Sequence, residues 1–359
     1  MKILSRYLIK TYLTATATCL AAFISIYLIV DFLERFGKFS RAGAPTSTVL
    51  LYFLCKIPEI VFQTTPMAVL MGTILALGSL AKNSEITAMR SSGVSLFQIG
   101  KPLLATAGVT SLLLVFMQEF ITPVANEKMS YINEVVVQKK GQAAFFRQDK
   151  IWHRDDNLIL QAKIFDPETS SLKGITIWEI GKGIRPLSRI DAASGTPVPG
   201  GWQLSAVTRR SFPVSGEIDC IANDSLFIKL NLVAEDLKVV AEAAEDMGFT
   251  ALRRYCRTIS ENGYDATRYL TLLYSKISLP FAALVMAFLG IPFSLRDGRS
   301  GGIGIGIGFS ILIGFSYFIT NALLLSLGQA GALEPMLAAW AANILFAGAG
   351  LWFTLTVDS

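Results

Sequence analysis

The chain has 359 residues, of which 52% are hydrophobic and only 16% charged, with a formal net charge of +5. Soluble domains carry about a quarter charged residues, so this composition excludes an ordinary soluble protein and indicates an integral membrane protein with a sizeable aqueous part. The positive excess sits mostly near the ends of apolar stretches, with no basic cluster interleaved with aromatics, which argues against nucleic-acid binding.

Lys2, Arg6 and Lys10 precede an apolar run from Tyr12 to Val30 that ends at Asp31 and Glu34. The apolar core of a signal peptide is about 7–15 residues, whereas a bilayer span needs about 20, and no convincing small-residue cleavage site follows. This run is therefore expected to remain as a first span. The second, about Val49 to Ala81, carries Lys56, Pro58 and Glu59 near its start and Pro66 further in. Proline removes a backbone donor and clashes with the preceding turn, so a broken or kinked helix is expected there. Pro102 to Ile121 is the third span.

A polar region follows. Asn157–Phe165, Gly174–Ile180, Gly201–Thr208 and Leu226–Leu232 read as strands, with turn signals at Asp166-Pro167, Gly181–Gly183 and Pro197–Gly201. Short strands at roughly even spacing predict an antiparallel sandwich or jelly roll. Phe249 to Ser260 reads as a short amphipathic helix leading back to the membrane. Three more spans close the chain: Leu270–Leu295, Ile303–Leu327 and Pro335–Val357. The fold class is thus an α-helical membrane protein with six transmembrane helices (3+3) and an inserted all-β domain. The expected domains are 1–121, 122–266 and 267–359.

Lysine and arginine in short loops favour the cytoplasm. Lys2, Arg6 and Lys10, then Lys82, Arg90 and Lys101, then Arg296 and Arg299 fall on one side, against Lys38 and Arg41 on the other. Both termini are expected in the cytoplasm and the polar domain outside, which in a Gram-negative cell is the periplasm.

Cys19 and Cys55 lie in apolar spans, and Cys220 and Cys256 in the polar domain without metal-type spacing. A Cys220–Cys256 disulfide and two separate buried thiols both remain open. His153 is the only histidine, so a zinc-peptidase motif is excluded, and an exposed strand histidine without a role is expected. No acid, base and nucleophile set can be assembled, no metal or cofactor site stands out, and there is no P-loop. The chain is read as non-enzymatic, with ATP hydrolysis expected in a partner subunit.

The second cytoplasmic loop has the form of a docking element. Ser84 is a candidate N-cap, Glu85 sits at the positive end of the helix dipole, and Gly93 can supply the C-cap. Ile86, Met89 and Arg90 share one face at i, i+3 and i+4. An ABC permease inserts such a helix into its ATPase; an ordinary interfacial helix is the alternative.

The segment from Ser84-Glu85 through Ser92-Gly93 resembles the coupling helix of the LptF/LptG permease family, the membrane subunits of the lipopolysaccharide exporter. Gly263-Tyr264-Asp265-Ala266-Thr267-Arg268-Tyr269, then Tyr274-Ser275-Lys276 and Pro280, resemble the same family, LptG more than LptF. The likeness extends to the layout of the whole chain. It implies a β-jellyroll-like periplasmic domain, a sister permease of LptF type, an LptB-type ATPase dimer, an LptC-type single-helix protein and lipopolysaccharide as substrate. It also implies that Glu85 pairs with a basic residue in the ATPase groove.

Lipid phosphates need cations near the outer rim of a membrane cavity. Arg35, Lys38 and Arg41, and Lys276 at membrane depth, are the candidate contacts, with ordinary interfacial anchoring as the alternative. Asp31 and Glu134 stand about where some family members carry basic residues, so those contacts do not transfer, and Lys139 and Lys140 are possible substitutes. Gly302, Gly304, Gly306 and Gly308 form two overlapping small-residue pairs on roughly opposite faces of the fifth span, suited to packing on both sides or to a gate. Other readings are a different ABC-linked envelope protein, a membrane-anchored scaffold or lipid enzyme, and a secondary transporter. The last is disfavoured by the few charges within the spans.

Overall fold

A computed structural model describes every residue except 1, 134–144, 148–149, 156, 167–170, 182–184, 213–218, 231, 233–243, 245, 262–264, 298–302 and 359. The expected sites Glu134, Lys139, Lys140, Gly263, Tyr264, Arg299 and Gly302 lie outside the described residues.

The chain divides into two compact units, one of Met1–Ser130 with Asp265–Ser359 and one of Tyr131–Tyr264. The first is helical. It contains α1 (Lys2–Ala42), α2 (Thr46–Lys82), the short α3 (Glu85–Ser91), α4 (Leu96–Phe120) and α5 (Thr122–Tyr131). The region expected to begin the polar domain at 122 starts with α5, nine of whose ten residues fall in the helical unit.

Among the described residues, six helices are long and apolar enough to cross a membrane, the last three being α7 (Thr267–Asp297), α8 (Ile303–Gln329) and α9 (Pro335–Asp358). The most apolar windows of α2 and α7 are 67% and 61% buried, while that of α1 is 11% buried, so α2 and α7 form the centre and α1 lies at the edge. Val69, Leu70, Leu77, Leu103, Ala283 and Met286 are fully or almost fully buried in one core. Close approach of α1 to α2 depends on Gly72: a Cβ there would stand 2.7 Å from the Thr16 Cα and 2.8 Å from its nitrogen.

Of the broken or kinked helix expected at Pro58 and Pro66, the break does not occur: α2 is one continuous helix with both prolines inside it. A lipid environment favours retaining every remaining backbone bond, and neighbouring helices compensate the one each proline removes. Pro66 is itself buried against them.

The second unit is built mainly of strands, and α6 (Phe249–Glu261) is its longest described helix. Its strands are β1 (Phe145–Arg147), β2 (Lys150–Asp155), β3 (Leu158–Asp166), β4 (Ser171–Ile180), β5 (Pro186–Val198), β6 (Gly201–Ser211) and β7 (Asp219–Ile228). They form one antiparallel sheet in sequence order. The β5–β6 hairpin closes at the Val198↔Gly201 pair, with Pro199 and Gly200 as its turn and Gly200 at φ +86°. This is the Pro-Gly order that a tight turn with a left-handed second corner requires.

Sequence alternation identifies β3, β4 and β6 but not β5. Of the four buried positions of β5, three are small, Ser188, Ala192 and Gly195, beside Ile190; at Gly195 the space is filled by Ile175 and Leu204, and a Cβ there would lie 2.7 Å from Ile175 Cδ1. The last strand begins at Asp219 and ends at Ile228, earlier than Leu226–Leu232. Leu230 and Leu232 instead join the buried core, where the indole N–H of Trp202 donates to the Leu232 carbonyl at 2.8 Å.

His153 is 8% exposed, not the exposed strand histidine expected: it pairs with Leu160, which is 1% exposed, on the core side of β2. Cys220 and Cys256 are both free thiols, the first exposed and the second buried, so the disulfide is absent. Burial pushes the Cys256 thiol up to about 11.

Candidate functional site

The candidate docking element forms the helix α3, between α2 and α4. Its C-terminus is closed as its sequence predicts. Gly93 adopts φ +85°, its N–H donates to the Arg90 carbonyl at 3.0 Å, and the Val94 N–H donates to the Met89 carbonyl at 3.1 Å. This paired arrangement satisfies two carbonyls that the helix end would leave exposed.

The N-terminus differs from expectation. Ser84 occupies the N-cap position, but at φ 60° and with no side-chain bond to the helix. The left-handed conformation that turns the chain out of α2 takes the hydroxyl away from the α3 amides. The side-chain capping box lies at the next helix instead. Ser95 accepts from the Gln98 N–H and Gln98 accepts from the Ser95 N–H, starting α4.

The orientation of α3 also corrects the sequence reading. Ile86 is 4% exposed and belongs to the helical core, and Met89 packs against that core. The apolar pair packs α3 onto its own chain, a support that a seven-residue helix needs because helices this short are marginal by themselves. The face left outside carries Thr87, Ala88, Arg90 and Ser91. Glu85 is half-buried at its edge, where the Tyr7 hydroxyl donates to Glu85 Oε2 at 2.9 Å.

At the other end of the α1–α2 hairpin, Arg35 is not a free cation. Its Nε donates to Asp31 Oδ1 at 2.9 Å, and its guanidinium lies 5.5 Å from the centre of the Tyr52 ring. Asp31 is 6% exposed. One turn beyond Tyr52, Lys56 Nζ donates to Glu59 Oε2 at 2.7 Å, with Lys56 7% exposed. These two acids and two bases sum to zero charge, as the cost of an unpaired ion in an apolar bundle demands. Lys38 and Arg41 are exposed, with Arg41 Nε donating to the Gly37 carbonyl at 3.0 Å. Lys276 is buried in α7 at 6% exposure and does not snorkel to the surface.

The glycines of α8 differ from one another. A Cβ on Gly306 would meet Ile74 Cγ2 of α2 at 3.0 Å, whereas Gly304 and Gly308 have nothing within 4 Å. Within this chain the helix packs on the Gly306 side, and the Gly304/Gly308 side is open.

One polar network was invisible in the sequence. The Tyr317 hydroxyl of α8 donates to Asn343 Oδ1 of α9 at 2.8 Å, and Asn343 Nδ2 donates to the Ser278 carbonyl of α7 at 2.7 Å. Periodicity gives no sign of it, since each member sits in an otherwise apolar stretch. The Asp31–Arg35 and Lys56–Glu59 pairs have i,i+4 and i,i+3 spacing, a signal the sequence reading did not use when it took Arg35 as a phosphate contact.

The chain is similar to the lipopolysaccharide export system permease protein LptG of Escherichia coli K12, 26% identical over 356 residues covering 98% of each chain. It is similar to LptG of Haemophilus influenzae, 24% identical over 89% of each. The E. coli K12 permease protein LptF matches at 23% identity, over 99% of this chain and 96% of that one. The family described as lipopolysaccharide export system permease LptF/LptG matches residues 6–356. With that match running almost from end to end, and with six apolar helices and an inserted antiparallel sheet in the corresponding order, the chain belongs to the LptF/LptG family of lipopolysaccharide export permeases.

Proposed function

We propose that this chain is one permease half of an ATP-driven exporter that extracts lipopolysaccharide from the inner membrane and passes it through its β domain towards the outer membrane. The family match over residues 6–356 carries this reading. The engine is a separate LptB-type ATPase dimer, and the other half is an LptF-type sister permease, in keeping with the higher identity to LptG than to LptF. An LptC-type single-helix protein completes the assembly. The charge distribution around the spans supports cytoplasmic termini, a cytoplasmic α3 and a periplasmic β domain within the second compact unit, Tyr131–Tyr264.

In this reading α3 enters a groove of the ATPase. Ile86 and Met89 hold it on the permease, Gly93 ends it, and Glu85 and Arg90 present charge to the partner. Ser84 sets the turn by its backbone. Lys38 and Arg41 are the better candidates for lipid phosphate, since Asp31 already neutralises Arg35. Lys276 acts from inside the bundle. Gly304 and Gly308 leave a smooth face for a moving contact with the sister subunit, while Gly306 packs against Ile74 on the other side of the helix.

The test is co-purification from native membranes of the tagged wild type beside Glu85→Arg, with an ATPase assay and identification of bound protein and lipid. A P-loop ATPase, a second permease and lipopolysaccharide should accompany the wild type, and Glu85→Arg should lose the ATPase or its activity. A wild type that brings down no ATPase in mild detergent refutes the reading.

A further inference from the structure

The Tyr7–Glu85 hydrogen bond joins residues 78 positions apart in sequence, one on α1 and one in the first turn of α3. Among the described residues it is the only side-chain hydrogen bond from α3 to another helix. The apolar attachment of α3 lies nearby: Leu8 of α1, 2% exposed, and Ile86 belong to the same buried cluster, with Leu4 and Met89 packed against it. Tyr7 itself is 43% exposed and its bond to Glu85 lies at the solvent edge. The fold of this end is therefore held by the aliphatic side chains, and the tyrosine hydroxyl contributes something else. It engages Oε2 and leaves Oε1 without a described partner.

We propose that Tyr7 is a positioning residue for Glu85. It holds one carboxylate oxygen so that the other is presented in a fixed direction to a cationic group of the ATPase partner. The proposal rests on the reading that α3 docks that ATPase. A glutamate has three side-chain torsions, and freezing them on association weakens binding by roughly two- to tenfold; a side chain held beforehand avoids that loss. Tyrosine suits the role because its ring is stiff and its hydroxyl is a neutral donor. It fixes the carboxylate without neutralising the charge that a cation would recognise. An arginine or lysine at the same place would hold Glu85 and cancel it.

The test uses the full permease complex in nanodiscs, titrated with the P-loop ATPase that co-purifies with the wild type. Wild type, Tyr7→Phe, Glu85→Gln and the double variant are compared, and melting temperature is recorded alongside affinity. Tyr7→Phe should weaken ATPase binding about two- to tenfold with an unchanged melting temperature, since the ring and the apolar anchors stay. The double variant should bind no more weakly than Glu85→Gln alone, because Tyr7 acts only through Glu85. Additive losses overturn the positioning role and leave docking intact. So does wild-type affinity in Tyr7→Phe beside a loss in Glu85→Gln. A lowered melting temperature in Tyr7→Phe assigns the bond to folding and also overturns it. If no ATPase co-purifies, or if Glu85→Gln binds as the wild type does, the docking reading itself fails and the positioning role falls with it.

Discussion

Replacing Asn343 with leucine tests how the last three helices are held together. Asn343 is 4% exposed, Tyr317 and Ser278 are each 1% exposed, and the amide bridges them with bonds of 2.8 and 2.7 Å. Leucine keeps the branching and heavy-atom count of asparagine but is bulkier, so no cavity opens, and the lost hydrogen bonds are joined by some overpacking strain. Hydrogen bonds between membrane helices average about 0.6 kcal/mol and reach about 1.7. Two bonds therefore set a loss of about 1–3 kcal/mol, towards the upper end because the Tyr317 hydroxyl is stranded in an apolar site. Removing that hydroxyl as well, in Tyr317→Phe/Asn343→Leu, should return a large part of the loss, since an apolar pair of similar shape leaves no unpaired donor. The assay is reversible unfolding of the purified chain in mixed detergent micelles, followed by helicity, for the wild type, both single variants and the double variant. A single Asn343→Leu effect below about 0.3 kcal/mol, or a double variant as unstable as the summed singles, would refute the network as a coupled unit.

Gly72→Ala should destabilise the helical unit by about 1–3 kcal/mol in the same assay, because the added Cβ meets Thr16 backbone that cannot rotate away. Gly304→Leu should leave that stability unchanged, having no neighbour within 4 Å, while transport by the assembled complex falls if the open face serves as the gate. Asp191 supplies a pH signature. Burial raises its pKa, but hydrogen bonds from Arg189 and Thr176 and the charges of Arg189 and Arg210 outweigh it, so the carboxyl ends below its ordinary value of 3.8. A depressed acid contributes stability that is full above pH 3.8 and is lost as pH falls through the folded-state pKa. The stability advantage of wild type over Asp191→Asn should therefore be constant from neutral pH to about 4 and shrink below it; an advantage that grows on acidification refutes the assignment. Finally, Cys220 should react with a maleimide at neutral pH in the folded chain and Cys256 only after unfolding, as mass spectrometry of the labelled peptides would show.

The candidate site was legible where local chemistry decides. Glu85 opening a short helix and Gly93 closing it follow from propensity and backbone freedom over ten residues. The ion pairs Asp31–Arg35 and Lys56–Glu59 are one helical turn apart, a spacing signal that the sequence reading left unused. Which way α3 faces was not legible: Ile86, Met89 and Arg90 share a helical face, and only the packing of α1, α2 and α4 beneath them decides that Ile86 and Met89 turn inwards. Ser84 has a good capping side chain, but the geometry of leaving α2 requires a left-handed backbone that the side chain cannot exploit.

The sequence by itself determined the layout of this protein: six apolar stretches long enough to span a bilayer, a polar insert between the third and fourth, and alternating strands within it. Burial in lipid requires some twenty apolar residues in a row, and a half-buried strand requires alternation, so both leave their mark in the order of residues. The tertiary structure alone decided which of those residues meet. Tyr7 and Glu85 are 78 positions apart, Ser278 and Asn343 are 65, and Trp202 and Leu232 are 30. Each pair depends on which helices or strands become neighbours, and that is set by the packing of the whole core rather than by any local run of the chain.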